Sequence, residues 1–131
     1  MSPVLRWGGI AGIVVMLIDT VSAMISQGFP ADSETTATIY TIDLAASVFM
    51  YAVAGFRAGR AAGFARAGAE AGTLAGALAG ALAAALTYLI PNLEGGAPNP
   101  IGIIALNIVL GGLLGLFNGW LASRIPDATR S

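Results

Sequence analysis

The stretch that most constrains the fold covers residues 68–90, GAEAGTLAGALAGALAAALTYLI. It is long enough to cross a bilayer as a helix, and it has no charged residue after Glu70. Its glycines recur at every fourth position, at Gly68, Gly72, Gly76 and Gly80. In water each would weaken a helix by about 1 kcal/mol relative to alanine, whereas in lipid the backbone must bond to itself. The stripe therefore predicts a transmembrane helix with a glycine face open to close approach by a neighbouring helix.

The composition points to lipid as the main solvent of the whole chain. Of 131 residues, 56% are hydrophobic and only 10% are charged, whereas soluble domains have about 25% charged residues. The length suits one domain of about four spans with short loops. Histidine and cysteine are absent, which removes the commonest metal and haem ligands and the thiol nucleophiles. We therefore expect no metal and no cofactor.

Hydrophobic runs and helix breakers predict four helices. Their approximate ranges are residues 4–26, 35–56, 68–90 and 100–123, and the alanine-rich connection between the second and third allows either helix to extend into it. The first run also resembles a signal peptide, an alternative that we rank lower because three further spans follow it. Asp32 or Ser33 is expected to cap the second helix, and Asn99 followed by Pro100 the fourth. The predicted fold is a single all-α membrane domain over residues 1–131, a four-transmembrane-helix bundle with Gly/Ala-rich packing.

A second glycine stripe lies on the fourth helix, at Gly111, Gly115 and Gly119. Two interpretations are open for the stripes together. They can pack the third and fourth helices against each other within the chain. Because the small-residue faces exceed what one internal contact needs, they can also form the seam of an oligomer or a docking face for another membrane subunit. We further expect leucine at Gly76 or Gly80 to be disruptive and alanine at Gly76 to be much milder.

The charged residues predict the orientation. All basic residues are arginines, and with four spans they fall on one side, at Arg6, Arg57, Arg60, Arg66, Arg124 and Arg130. The charged residues in the two loops on the other side are all acidic, namely Asp32, Glu34 and Glu94. By the positive-inside rule the arginine side faces the cytoplasm, so the chain is expected in the inner membrane with both termini cytoplasmic. Trp7 and Trp120 are expected to anchor this interface.

The arginines near the second and third helices and at the chain end have two interpretations. Arg57, Arg60, Arg66 and Arg124 can serve as a topology signal alone. They can also bind anionic lipid headgroups, at about 1 kcal/mol for each arginine near the surface.

Five polar residues are predicted to share one layer in the half of the bundle opposite the arginines. Asp19 lies twelve residues before Ala31 in the first loop and Asp43 twelve residues after it, so the two carboxyls reach similar depth. The other members are Asn107, Thr87 and Tyr88. Because small-residue faces pack inward, we expect these groups to meet inside the bundle, with one or both carboxyls protonated.

The polar layer has three interpretations. Paired membrane carboxylates can exchange a proton or bind a cation. Protonated Asp, Asn and Thr can instead hold the helices together as hydrogen-bonding groups. Both carboxyls can also lie close enough to the interface to be hydrated.

A resemblance rests on residues 54–63, AGFRAGRAAG, which lead into the Gly/Ala-rich third helix. This segment resembles the turn between helices 2 and 3 of small, four-helix bacterial membrane proteins with a Gly-x-x-Ala-Gly-Arg-x-Ala-Gly type motif. The resemblance implies a fold and no activity.

The sequence predicts a protein that is not an enzyme, because no nucleophile–base pair, metal cluster or phosphate-binding loop is visible. The leading functional hypothesis is a small packing or accessory subunit of a homo-oligomer or a larger membrane complex. The alternative is proton or cation translocation through Asp19 and Asp43. The expected partners are the lipid bilayer and either further copies of the chain or other membrane subunits, with no nucleic acid.

Overall fold

The structure, a computed structural model, describes residues 1–89 and 99–126. Within these residues it contains four α-helices: α1 (Pro3–Ser26), α2 (Glu34–Ala62), α3 (Ala65–Leu89) and α4 (Pro100–Ser123). Each is long and apolar enough to cross a membrane. The predicted all-helical fold with four candidate spans is therefore confirmed. The predicted loop at residues 91–98, with Glu94, and the tail with Asp127 and Arg130 lie outside the described residues.

Local sequence explains where the helices begin. The Ser2 side chain accepts a hydrogen bond from the Leu5 backbone N–H and caps α1. Ser33, rather than Asp32, caps α2, and its hydroxyl oxygen accepts from the Thr36 N–H at 3.2 Å. Asn99 caps α4 by accepting from the Ile101 N–H at 3.1 Å.

The connection between α2 and α3 is shorter than the sequence predicts. α2 continues to Ala62 and α3 begins at Ala65, so only Gly63 and Phe64 lie between them. Gly63 has a φ of +79° and donates its N–H to the Gly59 carbonyl oxygen at 2.8 Å, which is the geometry of a glycine helix end. The predicted boundaries at residues 56 and 68 need correction because the alanine-rich segment on both sides of Gly63 is a good helix former.

The helices form a four-membered bundle in which α2 and α3 also touch across the middle. α1 packs on α2 and α3, and α4 packs on the same two helices. Within the described part of the chain, α1 and α4 do not contact each other. The N-terminus, the α2–α3 connection and the C-terminal end of α4 lie at one end, here called the arginine end. The α1–α2 loop, residues 27–33, lies at the other end, here called the loop end.

Small residues form the interior. Its fully buried members are mostly alanines, and the largest completely buried side chains are Val15 and Tyr51. On α3 every buried residue is alanine or glycine. Large apolar side chains lie instead on the outside of all four helices, as with Leu17, Phe49 and Leu106.

Glycines face backbone atoms where α3 runs antiparallel to α4. A β-carbon added at Gly72 would overlap the Gly111 carbonyl oxygen, and one at Gly76 would overlap the Asn107 carbonyl oxygen. At Gly80 it would lie 2.9 Å from the Ile104 Cα. The partner numbers on α4 fall as those on α3 rise, which gives the antiparallel register. Any side chain at these positions would push the two backbones apart.

Glycines also mark two parallel contacts. On α1, β-carbons at Gly8 and Gly12 would meet Ala71 and Leu78 of α3. On α2, Gly55 and Gly59 face Gly115 and Gly119 of α4 in the same way. These contacts fix α1 alongside α3 and α2 alongside α4, and they bring Gly55 and Gly68 together near the arginine end.

Candidate functional site: a polar cavity between the four helices

A cavity of about 320 Å³ lies between the helices in the half of the bundle nearer the loop end. Each helix contributes at least one polar residue to its lining: Asp19 from α1, Asp43 from α2, Thr87 from α3 and Asn107 from α4. Tyr40 and Ser47 add two more hydroxyls from α2. Apolar residues form the remaining wall, namely Ala23, Leu44, Ala83, Leu86, Ile103 and Leu110. The structure thus brings together four of the five residues of the predicted polar layer.

The two carboxyl groups form the most polar part of this cavity. Asp19 of α1 and Asp43 of α2 line the same cavity, and their helices pack on each other. The hairpin explains the pairing, because the two residues lie equally far along the chain from the middle of the α1–α2 loop and α1 packs on α2. Ser22 donates its hydroxyl hydrogen to Asp43 Oδ1 at 3.2 Å. One carboxyl is therefore oriented by a fixed donor from the neighbouring helix.

Asn107 is held by two hydrogen bonds. Its Nδ2 donates to the Ile103 carbonyl oxygen at 3.0 Å within α4. Its Oδ1 accepts from the Tyr51 hydroxyl at 2.7 Å, which joins α2 to α4. These bonds fix the amide at the cavity wall, and one Nδ2 hydrogen remains to donate to an occupant.

Thr87 donates its hydroxyl hydrogen to the Ala84 carbonyl oxygen at 2.6 Å. Its oxygen lone pairs therefore remain available as acceptors toward the cavity.

Tyr88 does not join the cavity, which corrects the predicted layer. Its side chain is 74% exposed on the outside of α3. One residue advances an α-helix by about 100°, so Thr87 and Tyr88 cannot both point inward. With α3 turned so that its glycine face meets α4, Thr87 takes the inward position.

Sequence reasoning missed two polar residues of this region, Ser22 and Tyr51. A spacing signal was present for both. Ser22 follows Asp19 by three residues, and Tyr51 follows Asp43 and Ser47 by eight and four. Residues three, four or seven to eight positions apart share a helix face. The length of the tyrosine side chain, which lets it reach across to α4, is what the spacing does not reveal.

The cavity holds no basic side chain among its lining residues. The ion pair that occurs within residues 1–89 and 99–126 lies on the exposed surface of α3, where Arg66 Nε is 2.7 Å from Glu70 Oε1. All buried side-chain polar atoms of these ranges have a hydrogen-bond partner. Nothing positively charged in the cavity lining neutralises the two carboxyls, so a proton or a bound cation must do so if they are to stay in an apolar setting.

The donor set defines what the cavity can bind. Carboxylate, amide and hydroxyl oxygens are hard ligands, which suit protons and hard cations better than soft transition metals. No group of three or more His, Cys, Asp or Glu side chains with metal-binding geometry occurs in the described residues.

The arginines within residues 1–89 and 99–126 lie away from the cavity, at the opposite end of the bundle. The guanidinium carbons of Arg6 and Arg57 lie 5.3 and 5.4 Å from the centre of the Trp7 ring. Arg124 lies over the Trp120 ring at 4.3 Å. Both tryptophans therefore sit beside arginines at the arginine end, where cation–π contacts order the side chains.

Comparison with known protein families, with characterised proteins and with solved structures finds no match for this chain. The resemblance of residues 54–63 to small four-helix membrane proteins therefore stays a prediction.

Proposed function

We propose that this protein is a multi-pass membrane protein of the bacterial inner membrane that binds and exchanges a proton or a small cation at the Asp19–Asp43 pair. The arginine end faces the cytoplasm, and Gly/Ala packing holds the four spans together. The observation that carries the proposal is the meeting of two carboxyls from different helices in a cavity without a basic residue. No step of covalent catalysis is involved.

Exposed apolar surface supports the membrane setting. Large hydrophobic side chains lie outward on all four helices, and the interior is filled with alanine and glycine. Such an arrangement would leave extensive apolar patches in water, but it suits a bilayer, in which helices associate through small residues. The arginines that the structure describes cluster at one end, as the positive-inside rule requires of a cytoplasmic face.

The depth of the carboxyl pair supports exchange. Asp19 lies seven residues before the end of α1 at Ser26, which is about 10 Å along the helix axis. At this depth a carboxyl is below the membrane surface but still near the loop end. Ionisable residues in such positions face the bundle interior and commonly mark ion or proton pathways.

The test is ion flux in reconstituted vesicles. Purified parent protein in vesicles with a pH or Na⁺ gradient is expected to dissipate one of the gradients faster than empty vesicles. Asp43→Asn keeps the size and the ability to accept from Ser22 but removes the ionisable group, so it should abolish the flux, and Asp19→Asn should do the same. Asp32→Asn, in the exposed α1–α2 loop, is the matched control and should leave the flux intact. No flux from a correctly folded parent for either gradient would reject the exchange function.

The second candidate is the structural one, a packing or accessory subunit of a homo-oligomer or larger complex. Two interhelical hydrogen bonds favour it, Ser22 to Asp43 between α1 and α2 and Tyr51 to Asn107 between α2 and α4. Polar contacts of this kind stabilise membrane bundles without any transport. However, glycines on α1, α2, α3 and α4 are already occupied by contacts within the chain, so an oligomer seam would need another face. A stable, flux-inactive parent that purifies as an oligomer would support this role.

A further inference from the structure

A groove on the outside of α2 and α4 begins at the arginine end of the bundle. Its volume is about 610 Å³, which lies within the range of about 300–1,000 Å³ typical of ligand pockets. Arg57 and Arg60 line it at one end, and Asn118 of α4 contributes an amide. Its remaining lining comes from α2 alone: Phe49, Ala52, Val53 and Phe56.

The charges in the groove are confined to one end. From Arg60 to Phe49 the groove follows eleven residues of helix, or about 16 Å at 1.5 Å per residue. This length is close to half of a hydrocarbon core about 30 Å thick, that is, one leaflet. Beyond the two arginines the walls are apolar, and Phe49 is 66% exposed. The apolar part, from Phe56 to Phe49, follows seven of these residues, or about 10 Å. A cationic head site followed by an apolar channel matches an amphiphile with an anionic head and a hydrocarbon tail.

The polar end is partly preorganised. The Arg57 guanidinium lies over Trp7 of α1, which restricts its motion while leaving its N–H groups free to donate. Asn118 donates to the Leu114 carbonyl oxygen at 2.9 Å, so its amide orientation is fixed too. The ion pair found in residues 1–89 and 99–126 is that of Arg66 with Glu70, and it involves neither Arg57 nor Arg60. Two guanidinium groups and an amide can therefore donate together to a phosphodiester.

We propose that this groove binds one anionic glycerophospholipid of the cytoplasmic leaflet, with its phosphate on Arg57 and Arg60 and an acyl chain along Phe49, Val53 and Phe56. This inference rests on the membrane setting and orientation proposed above, but not on ion exchange at the Asp pair. Charge complementarity at one end, together with the apolar length, selects a lipid over a soluble anion.

The test is a lipid titration followed by native mass spectrometry of the detergent-purified protein, with phosphatidylglycerol compared against phosphatidylcholine. The parent is expected to retain one phosphatidylglycerol per chain in preference to phosphatidylcholine. The double variant Arg57→Gln/Arg60→Gln should bind phosphatidylglycerol about thirtyfold more weakly, or about fivefold for each arginine lost.

Two further variants separate a built site from general surface attraction. Arg66→Gln/Arg124→Gln removes the same charge at the same end of the bundle but outside the groove, so it should leave the affinity unchanged. Ala52→Phe keeps every charge and fills the apolar part, and it should lose the bound lipid. Circular dichroism and thermal unfolding without added phospholipid show whether each variant is folded.

If Arg57→Gln/Arg60→Gln and Arg66→Gln/Arg124→Gln lose equal affinity for phosphatidylglycerol, the attraction is non-specific and the proposal is overturned. Unchanged binding in a folded Ala52→Phe would overturn it as well. Binding of inorganic phosphate in competition with phosphatidylglycerol at matched concentration would show that the acyl chain contributes nothing. If the protein inserts into vesicles but shows no lipid preference, the lipid-site proposal is wrong and the membrane setting stands. If the protein stays soluble without detergent, the membrane setting itself is contradicted.

Discussion

Tyr51 is the largest side chain that the bundle buries completely, with no exposed surface. Its neighbours on the same face of α2, Ala54 and Ala58, are small, so its ring occupies space that the alanines leave open. The hydroxyl ends at Asn107 Oδ1, 2.7 Å away. This contact couples the cavity wall to the alanine core, because the same amide lines the cavity.

Tyr51→Phe should therefore weaken the bundle without a change in packing. The substitution leaves Asn107 Oδ1 without its donor, and we expect a loss of about 0.5–2 kcal/mol, the range of polar contacts between membrane helices. Thermal unfolding in micelles measures it. Tyr88→Phe, on the exposed side of α3, is the control and should be neutral. Equal stability of the two variants would show that the Tyr51–Asn107 bond contributes nothing.

The stability of Asp43 variants tests the protonation state of the cavity. Asp43→Asn can still accept from Ser22 and should be close to neutral if the carboxyl is uncharged in the bundle. Asp43→Leu leaves the Ser22 hydroxyl without its acceptor and should lower the free energy of unfolding by about 1–3 kcal/mol. Urea or thermal unfolding in micelles compares them, with Asp32→Leu as the exposed control. A large gain in stability for Asp43→Asn would indicate that a buried negative charge was present in the parent.

At the scale of elements, backbone contact between α3 and α4 changes one expectation from the sequence. Alanine at Gly76 was expected to be mild, but a β-carbon there would overlap the Asn107 carbonyl oxygen. Gly9 of α1 is the opposite case, because its β-carbon would meet nothing within 4 Å. Gly76 belongs to the four-residue glycine stripe of α3, whereas Gly9 lies beside the Gly8 and Gly12 face of α1 and not on it.

We predict that Gly76→Ala lowers stability by about 1–3 kcal/mol through overpacking, and that Gly76→Leu unfolds the bundle or separates α3 from α4. Gly9→Ala should be neutral or stabilising by up to about 1 kcal/mol, because alanine is the better helix former. Thermal unfolding and helix content in micelles provide the comparison. A tolerated Gly76→Leu would mean that this stripe faces lipid.

At the scale of the whole molecule, four helices that alternate in direction along the chain, in the membrane orientation proposed above, predict a labelling pattern. The natural chain has no cysteine, so single cysteines are clean probes. Cysteines at Ser2 and Ala62 should be protected from an impermeant thiol reagent in intact cells, and one at Ala31 should react. The same pattern predicts protection at Ser131 and reaction at Gly96, both outside the described residues. Reaction at Ala62 from outside would overturn the orientation, together with the lipid site proposed on the cytoplasmic side.

The sequence by itself determined the number of helices, most of their ends and the common level of Asp19 and Asp43 in the bundle. These properties are local: apolar runs set the spans, Ser33 and Asn99 set two starts, and equal distances from the loop place Asp19 opposite Asp43. The sequence leaves open how far α2 and α3 extend toward Gly63, because alanine-rich sequence continues a helix wherever packing allows. Only the tertiary structure decided which faces meet. The rotation of each helix depends on contacts between residues far apart in the chain, and those contacts turn Thr87 inward and Tyr88 outward, bring Tyr51 to Asn107, and place backbone atoms against Gly72 and Gly76.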